Sequence, residues 1–260
     1  MTTAEDKTRR ATNYQNAVRL VQAGVAIFPT VNKVPMVRAF TRLDDDLSTD
    51  EKEAIRKDAL QKHGATPIHI GATRRLSTVR KLWHKFPDAT PSIAPGPNGL
   101  IVVDPDRKNN GPAKFAAFCK EHGGLPESAV CIPTQDGGQH WYFRDTEGRG
   151  NHAGELKSLG CDVRGRGGQV VAPGSIREDG KTYGDANDLT RFLRAFKSDS
   201  LPELPGFIRD AIGQPSTANV SDNDPTIKTA IERLNAEPWP EFSDVFDSTV
   251  GLYDLDVVRA

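Results

Sequence analysis

The distribution of apolar residues changes near Gly123, and this change limits the folds that the chain can adopt. Before Gly123, segments with helical periodicity alternate with short apolar runs, as in α/β modules. After it, short strand-like segments follow one another across glycine-rich turns. The sequence therefore predicts an α+β fold, with an N-terminal α/β module and a β-rich part after it. The β-rich part contains predicted strands at 130–133, 139–143, 161–164, 169–172 and 181–183, and predicted helices at 189–196 and 204–212.

Chain length and the distribution of polar residues predict one main domain. A chain of 260 residues suits one large domain or two small ones. Residues 213–225 are rich in Ser, Asn and Asp, which predicts a linker. Residues 226–260 begin with apolar residues at helical spacing and predict a helical segment that could begin an accessory domain. We therefore assign residues 1–212 to the main domain.

The composition argues against several classes of protein. A formal net charge of −1 gives no overall attraction to nucleic acid, so contacts with a polyanion must come from local patches. No apolar run approaches the ~18 residues of a membrane helix. Cys119, Cys131 and Cys161 are far apart and form no metal-binding pattern, which predicts reduced thiols. The N-terminus lacks the basic-then-apolar order of a secretory signal, so we expect a cytoplasmic protein that does not bind membranes.

The segment from Leu100 to Asp106 is an apolar run that ends in two carboxylates. Side chains alternate between faces in an extended chain, so Asp104 and Asp106 are expected on one side. Pro105 favours this, because a residue before proline prefers an extended conformation. Two like charges this close are costly unless a cation lies between them, so a divalent metal site is one interpretation. A solvated acidic turn after a strand is the other.

The segment 134–143 places a histidine shortly after paired glycines. Alternation puts His140 and Tyr142 on one face of a strand. Gly137 and Gly138 leave backbone N–H groups open to an anion, and His140 could donate a hydrogen bond to a phosphate oxygen. A packed histidine with a single hydrogen bond is the alternative.

The segment 160–173 combines an acid with arginines and glycines. Asp162 and Arg164 share a face at a period of two. Arg166 lies between glycines, which would leave its side chain free to move, and arginine suits phosphate oxygens. The alternative is a hairpin with solvated arginines and a weak surface pair between Asp162 and Arg164.

A run of arginines and lysines without an intervening acid lies between residues 74 and 85. On a helix that ends near Phe86, these cations would lie opposite the apolar side. Such a face could follow the backbone of single-stranded DNA, with Arg75, Lys81 and Lys85 as template contacts. The solvated side of a packed helix is the alternative.

Taken in chain order, these segments resemble the bifunctional DNA primase/polymerase (prim-pol) domain of plasmid and phage replication proteins, in the archaeo-eukaryotic primase superfamily. The similarity covers roughly residues 15–200. Asp136 departs from the pattern, because many relatives have a small neutral residue there, and an acid could repel a triphosphate or point away. The matching motifs are Asp104-x-Asp106, Gly137-Gly138-x-His140-x-Tyr142-Phe143 and Gly160-x-Asp162-x-Arg164-Gly165-x-Gly167-Gly168, preceded by Lys33-x-Pro35 and by Trp83 with Phe86-Pro87.

The resemblance implies a fold and a set of site residues. The fold is an archaeo-eukaryotic primase-like core, in which an α/β module packs beside an RRM-like antiparallel sheet with the active site in the cleft between them. Asp104, Asp106 and Asp162 would bind the catalytic metals, and His140 would contact the triphosphate of the incoming nucleotide. Further candidate phosphate contacts are Gly137, Gly138, Arg164 and Arg166.

The function implied by the resemblance is template-dependent nucleotide addition on single-stranded DNA. The protein would act as a DNA primase, a DNA polymerase or both, in plasmid- or phage-type replication in a bacterial or archaeal host. Two Mg²⁺ or Mn²⁺ ions would act with a bound dNTP or NTP, because the oxygen ligands do not suit zinc. A replicative helicase acting in trans is a candidate partner, and the oligomeric state stays open. Two alternatives also stay open, a metal-dependent phosphoesterase or nuclease and a non-catalytic DNA-binding replication module.

Overall fold

The computed structural model of the protein describes residues 3–36 and 72–213. No helix within these ranges is long and apolar enough to cross a membrane. Four predicted segments lie outside the described residues. They are the linker after Gly213, the C-terminal segment, a helix from Ser48 towards Lys62 and a strand at 68–71. The helices are α1 (Ala4–Gln22), α2 (Leu76–Lys85), α3 (Gly111–Glu121), α4 (Ala186–Lys197) and α5 (Gly206–Ile212). The strands are β1 (Ile27–Val31), β2 (Val34–Pro35), β3 (Thr90–Ile93), β4 (Leu100–Pro105), β5 (Val130–Pro133), β6 (Gln139–Arg144), β7 (Cys161–Arg164), β8 (Val170–Val171), β9 (Ser175–Ile176) and β10 (Thr182–Tyr183).

The strands form two four-stranded sheets and a hairpin, and every pairing between them is antiparallel. The first sheet has the order β2-β1-β3-β8, the second has the order β5-β6-β4-β7, and β9 pairs with β10. The predicted α+β class is confirmed. The division at Gly123 does not separate two layers, because β4 lies inside the second sheet and β8 returns to the edge of the first. Strand pairing between distant segments thus overrides the order of elements along the chain.

The central strand of the second sheet is apolar on both faces. Leu100, Ile101, Val102 and Val103 are all buried. Val102 belongs to a core that the first sheet and α1, α2 and α4 share, whereas Ile101 and Val103 belong to a second core with α3 and α5. Because both faces of β4 are covered over this length, its charged residues are confined to the end of the strand. The first motif therefore begins where the two cores stop.

The first sheet contains a strand that the sequence analysis did not predict, β3. It carries Pro91 and the polar residues Thr90 and Ser92, which do not resemble a typical strand. Inside the sheet, Thr30 Oγ1 lies 2.9 Å from Ser92 Oγ and donates to the Thr90 carbonyl at 3.0 Å, while the Thr90 hydroxyl is buried without a hydrogen-bond partner among the described residues. Pro91 lies opposite Pro29 on the neighbouring strand. Buried polar residues that satisfy one another conceal a strand from a hydrophobicity pattern.

The N-terminal helix holds the β9–β10 hairpin in place. Helix α1 begins with a capping box in which Thr3 Oγ1 accepts a hydrogen bond from the Asp6 backbone at 3.1 Å. Farther along, the fully buried Asn13 donates to the Ile176 carbonyl at 2.7 Å and accepts from the Ile176 N–H at 2.9 Å. This pair of hydrogen bonds anchors β9 to α1. The turn of the hairpin contains Gly180 with φ of 76°, as its Asp-Gly sequence predicts.

The three cysteines are free thiols, as the sequence predicts. Cys119 and Cys161 are buried, and Cys131 is partly buried. Burial raises the pKa of Cys119 and of Cys131 to about 11. The thiols therefore stay protonated at neutral pH and act as packing residues.

Candidate active site

Three neighbouring strands of the second sheet bring two acids and a histidine side by side. In the register of β4 with β7, Asp104 lies opposite Asp162. The register of β4 with β6 pairs Val103 with Trp141, and its continuation places His140 beside Asp104. His140 Nε2 lies 3.7 Å from Asp104 Oδ1. Because opposed residues share a face of a sheet, these three side chains form one row across the sheet, the strand row (His140, Asp104 and Asp162).

A cavity of about 480 Å³ is lined by residues of both four-stranded sheets. This volume is typical of pockets that hold a small organic ligand. Asp104 and His140 contribute from the second sheet, and Val170 and Val171 contribute from β8 of the first. The polar and charged lining residues are Lys33, Asp104, Asp106, Arg107, Lys108, Thr134, Gln135, Asp136, His140, Asn151, Arg164, Gln169 and Tyr183.

Asp106 follows β4 and lines the same cavity as Asp104, as the alternation of side chains predicts. Its backbone is extended, with φ of −85° and ψ of 127°. Its carboxylate accepts the Lys108 backbone N–H at 2.9 Å and so caps a short 3-10 turn, Arg107–Asn109. The turn also brings Arg107 and Lys108 into the cavity lining. Two acids and two cations of one short segment thus line the same cavity.

The charged groups around Asp104 favour its ionised form. Burial opposes ionisation, but His140, Arg164 and Lys33 together outweigh burial and hold the pKa of the Asp104 carboxyl below its usual range. His140 is 5% exposed, and its Nδ1 is buried without a hydrogen-bond partner among the described residues. The side chain of His140 is therefore packed, yet it also lines the cavity. The packing agrees with the alternative interpretation of the second motif, and a contact between His140 and a phosphate stays a prediction.

Asp162 stands opposite Asp104 but is not part of the cavity lining. Lys157 Nζ lies 2.6 Å from Asp162 Oδ1, and the Arg164 guanidinium lies 2.8 Å from Oδ2. Both carboxylate oxygens are therefore engaged by cations. Across residues 3–36 and 72–213, no group of three or more His, Cys, Asp or Glu side chains is arranged to hold a metal ion. Carboxylates are the ligands that Mg²⁺ and Mn²⁺ prefer, so the donor type fits these ions, and Asp104 and Asp106 line one cavity.

The paired glycines of the second motif allow a close approach of two backbone segments. A Cβ atom at Gly138 would lie 2.5 Å from Thr134 Oγ1 and 3.2 Å from the Pro105 carbonyl oxygen, so a side chain does not fit. The Thr134 N–H donates to the Gly138 carbonyl at 2.9 Å and closes the turn. Gly138 lines the cavity, whereas Gly137, with φ of 85°, lies beside Arg107 and does not.

The acid that precedes these glycines, Asp136, is paired with a lysine. Lys181 Nζ lies 3.0 Å from Asp136 Oδ1 and 2.9 Å from Oδ2. The hydrogen bond from Lys181 holds the pKa of Asp136 below its usual range. Arg107 also donates to the Asp136 backbone carbonyl at 3.1 Å. The carboxylate thus lines the cavity with its charge offset by Lys181.

The two arginines of the third motif have different environments. Arg164 lines the cavity and pairs with Asp162. Arg166 is outside the lining and packs against two glycines, where a Cβ at Gly96 would lie 2.7 Å from Arg166 Cγ and one at Gly148 would lie 2.9 Å from Nε. The expectation that Arg166 moves freely between its neighbouring glycines is wrong, because its side chain packs against Gly96 and Gly148 from other parts of the chain.

Asn151 is a cavity residue that the sequence analysis missed. Its Oδ1 accepts a hydrogen bond from the Gly165 N–H at 3.0 Å, which fixes the amide. A Cβ at Gly165 would lie 2.1 Å from the Arg149 carbonyl oxygen, and one at Gly168 would lie 2.3 Å from Asn151 Oδ1. Gly165 and Gly168 of the third motif therefore permit close packing on the 149–151 segment. No local sequence pattern marks Asn151, because its place depends on this packing.

Three other missed residues carried partial signals in the sequence, whereas a fourth, Tyr183, did not. Arg107 and Lys108 directly follow Asp106, and Lys33 belongs to a stretch that resembles the family, but the predicted site did not include them. Tyr183 reaches the cavity on the β9–β10 hairpin, where its ring centroid lies 5.6 Å from that of His140. Burial raises the pKa of Tyr183 to about 12, so its hydroxyl stays protonated.

The predicted template residues lie on or beside α2, away from the cavity lining. Arg75, Lys81 and Lys85 are exposed, while the opposite side of the helix buries Leu82 and Trp83. Within the described ranges, no acidic side chain forms an ion pair with these three cations. The helix thus has the predicted arrangement, with an apolar side packed inward and a basic side exposed.

No curated protein matches the chain. The family model described as "Bifunctional DNA primase/polymerase, N-terminal" (Prim-Pol) matches residues 17–206. This match spans most of the chain and includes all three motifs and the α2 cations. The chain belongs to the bifunctional DNA primase/polymerase N-terminal domain family, which acts in DNA replication.

Proposed function

We propose that the protein is a template-dependent nucleotidyltransferase that adds nucleotides on single-stranded DNA in plasmid- or phage-type replication. The observation that carries this proposal is the strand row, since His140 and Asp104 line a cavity of about 480 Å³ and Asp162 lies opposite Asp104. Membership of the family supplies the class of reaction. The row supplies carboxylates and a histidine at one place, which nucleotidyl transfer requires.

The order of strands supports the fold that this function implies. Numbered along the chain, the four strands of the second sheet stand in the order 4-1-3-2 across it, and all pairs are antiparallel. Helices α3 and α5 cover one face of this sheet. We assign this sheet as the RRM-like sheet of an archaeo-eukaryotic primase-like core, and the cavity as the cleft beside it.

Asp104 and Asp106 would hold a divalent cation, Mg²⁺ or Mn²⁺, and Asp162 would contribute after release from Lys157 and Arg164. When bound, two such ions would lower the pKa of a primer 3′-hydroxyl and stabilise the pyrophosphate leaving group. The low pKa of Asp104 keeps this ligand ionised at neutral pH. Ionised carboxylates at this position are what a hard cation needs.

The phosphates of the incoming dNTP or NTP would lie against the cations of the cavity. His140 and Arg164 would donate to phosphate oxygens and offset the charge that develops there. Gly138 lacks a Cβ and so leaves the turn open to a close approach. The exposed basic side of α2 would follow the template backbone, because regularly spaced cations bind single strands without sequence preference.

One observation favours a second candidate, a non-catalytic DNA-binding replication module. Both oxygens of Asp162 are engaged by Lys157 and Arg164. If this pairing persists in the presence of nucleotide and cation, the site keeps its fold without a third metal ligand. The protein would then bind DNA through α2 and catalyse nothing.

The test is a gel assay on single-stranded DNA with and without an annealed primer, using dNTPs or NTPs and Mg²⁺ or Mn²⁺. We expect template-directed products from the wild type and none from Asp104→Ala/Asp106→Ala. Products without a primer would add primase activity. Metal-dependent shortening of the DNA would indicate a nuclease instead. DNA binding without any product in the wild type would favour the non-catalytic module.

A further inference from the structure

An acid next to the paired glycines of the second motif lines the cavity, and a lysine of the β9–β10 hairpin neutralises it. We propose that Lys181 is a phosphate-binding residue of the nucleotide site. Asp136 holds Lys181 beside the cavity until the phosphates of a nucleotide replace Asp136 as the partner of this lysine. The inference rests on the proposed function, because it takes the cavity as the nucleotide site. It adds a contact from outside the three motifs.

The contact between these two side chains is close and exposed. Lys181 Nζ approaches both Asp136 oxygens, at 3.0 and 2.9 Å, and the two side chains are 46% and 55% exposed. Exposed ion pairs of this kind contribute little to stability, because water and salt screen them. The pair can therefore be exchanged for another anion at low cost. A nucleotide triphosphate carries several negative charges and would attract Lys181 more strongly than one carboxylate does.

The hairpin keeps Lys181 close to the cavity whether or not it is paired with Asp136. Asn13 anchors β9, and the Arg177 guanidinium donates to Gln135 Oε1 at 2.6 Å, next to Asp136. Two residues beyond Lys181, Tyr183 lines the cavity beside His140. A lysine that leaves Asp136 thus remains beside the turn that carries the paired glycines.

The backbone of Asp136 is held in place at this turn. Its φ is 64°, in the left-handed region, and Arg107 donates to its carbonyl at 3.1 Å. Asp136 therefore lines the cavity from a fixed backbone position, close to where phosphate oxygens are expected. Asp136 would hold Lys181 ready and also oppose binding of the phosphates. The Asp136 carboxylate and a phosphate compete for the same ammonium group.

The experiment measures the binding of dATP with Mg²⁺, and of inorganic tripolyphosphate, by titration calorimetry. Asp136→Asn keeps the size and the left-handed preference of the side chain and removes its charge. We expect Asp136→Asn to bind about 3- to 10-fold tighter and Lys181→Met about 3- to 10-fold weaker than the wild type, as for one unit charge near a surface. Asp136→Gly serves as a second variant, since glycine tolerates the positive φ without any side chain.

The double variant Asp136→Asn/Lys181→Met separates a phosphate contact from simple shielding. If Lys181 binds phosphate, the double variant binds several-fold more weakly than Asp136→Asn alone. If Lys181 only offsets Asp136, the double variant binds as tightly as Asp136→Asn, and the proposal is overturned. Circular dichroism and thermal melts check that each variant folds, which we expect because the pair is exposed.

Two further variants separate failure of this inference from failure of the proposed function. His140→Ala and Arg164→Ala alter residues assigned to the phosphates on other grounds. If both weaken binding while the Asp136 and Lys181 variants all bind like the wild type, only the role of Lys181 is wrong. If neither weakens binding, or if the wild type binds no phosphate compound, the nucleotide site itself is wrong and the inference is lost with it.

Discussion

The strand row and the turns that carry Asp136 and Lys181 hold their charged groups in different ways. His140 and Asp104 lie on neighbouring strands, where register fixes their positions, and His140 is almost fully buried. Asp136 and Lys181 lie on turns and are about half exposed. Strand positions set a geometry that small changes disrupt, whereas exposed turn residues can exchange partners. We infer that the strand row determines whether chemistry occurs, and that the turns adjust how tightly the substrate binds.

The largest expected effect comes from the strand row. Asp104→Asn keeps the size of the side chain but removes the charge that a cation would need, so we expect primer extension to fall by about 10²- to 10³-fold or more. The matched turn variant, Asp136→Asn, should change extension by less than about tenfold. The measurement is kcat/KM for nucleotide addition on a primed template. Equal losses in the two variants would remove the distinction between the strand row and the turns.

The second-largest expected effect comes from the close contact between Gly165 and the backbone of the 149–151 segment. A Cβ at Gly165 would lie 2.1 Å from the Arg149 carbonyl oxygen, so Gly165→Ala must move one of two backbone segments. We expect a loss of about 1–3 kcal/mol in the free energy of unfolding, measured in urea. Gly206→Ala is the matched control, because the nearest atom to its Cβ would be Arg209 Nη2 at 3.6 Å. This control should change stability by no more than about 0.5 kcal/mol.

If Gly165→Ala were as stable as Gly206→Ala, the segments would have room to shift and the third-motif glycines would need another explanation. A loss of nucleotide binding without a loss of stability would indicate that Gly165 acts through Asn151, whose Oδ1 accepts the Gly165 N–H. Binding of tripolyphosphate to the folded variant distinguishes these outcomes.

The difference between strand positions and turn positions also explains which site residues the sequence could predict. Alternation along a strand predicted that Asp104 and Asp106 share one face and that His140 and Tyr142 share one face, because side chains two residues apart point the same way. That Asp104 lies opposite Asp162 could not be derived from periodicity, since the pairing joins segments far apart in the chain. The resemblance to the family grouped Asp104 with Asp162 as metal ligands, and the register of β4 with β7 places them opposite each other.

Residues on turns were predicted less well. Asn151 and Tyr183 reach the cavity only after distant segments pack together, so no local pattern marks them. The freedom expected for the Arg166 side chain was wrong, because Gly96 and Gly148, which pack against it, are distant in the sequence. The sequence did not identify Lys181 as the partner of Asp136, because Lys181 lies 45 residues away along the chain.

The third effect is a dependence of stability on pH. Burial works against ionisation of Asp104, but His140, Arg164 and Lys33 hold its folded-state pKa below the usual 3.8. A carboxyl with a lowered pKa stabilises the fold above the unfolded-state pKa, and this contribution is lost as the pH falls through the folded-state value. We expect the wild type to be more stable than Asp104→Asn at pH 6, with a difference that shrinks below about pH 4.

Urea unfolding of both proteins between pH 6 and pH 3 measures this difference. Asp210→Asn, on the exposed side of α5, is the matched control. A difference between the wild type and Asp104→Asn that stays constant down to pH 3 would mean that the cations around Asp104 do not favour its charge in solution.

The smallest expected effect concerns α2, whose cations lie outside the cavity. Arg75, Lys81 and Lys85 are exposed on one side of a helix whose other side is packed, so their removal should leave the fold intact. If all three contact phosphates, the triple alanine variant loses up to about 2 units from the slope of log K against log salt for single-stranded DNA. Affinity at low salt should fall several-fold, measured by fluorescence anisotropy.

The control for α2 is Lys120→Ala, which removes an exposed cation from the helix α3 behind the second sheet. It should leave the salt slope unchanged, because α3 is separated from the cavity by the sheet. An equal change in the control would mean that DNA responds to overall charge, and α2 would then be a solvated helix face. A change confined to the triple variant would add a third region to the comparison, one that binds template without affecting nucleotide affinity. Tripolyphosphate binding by the triple variant tests that separation directly, and we expect it to equal the wild type.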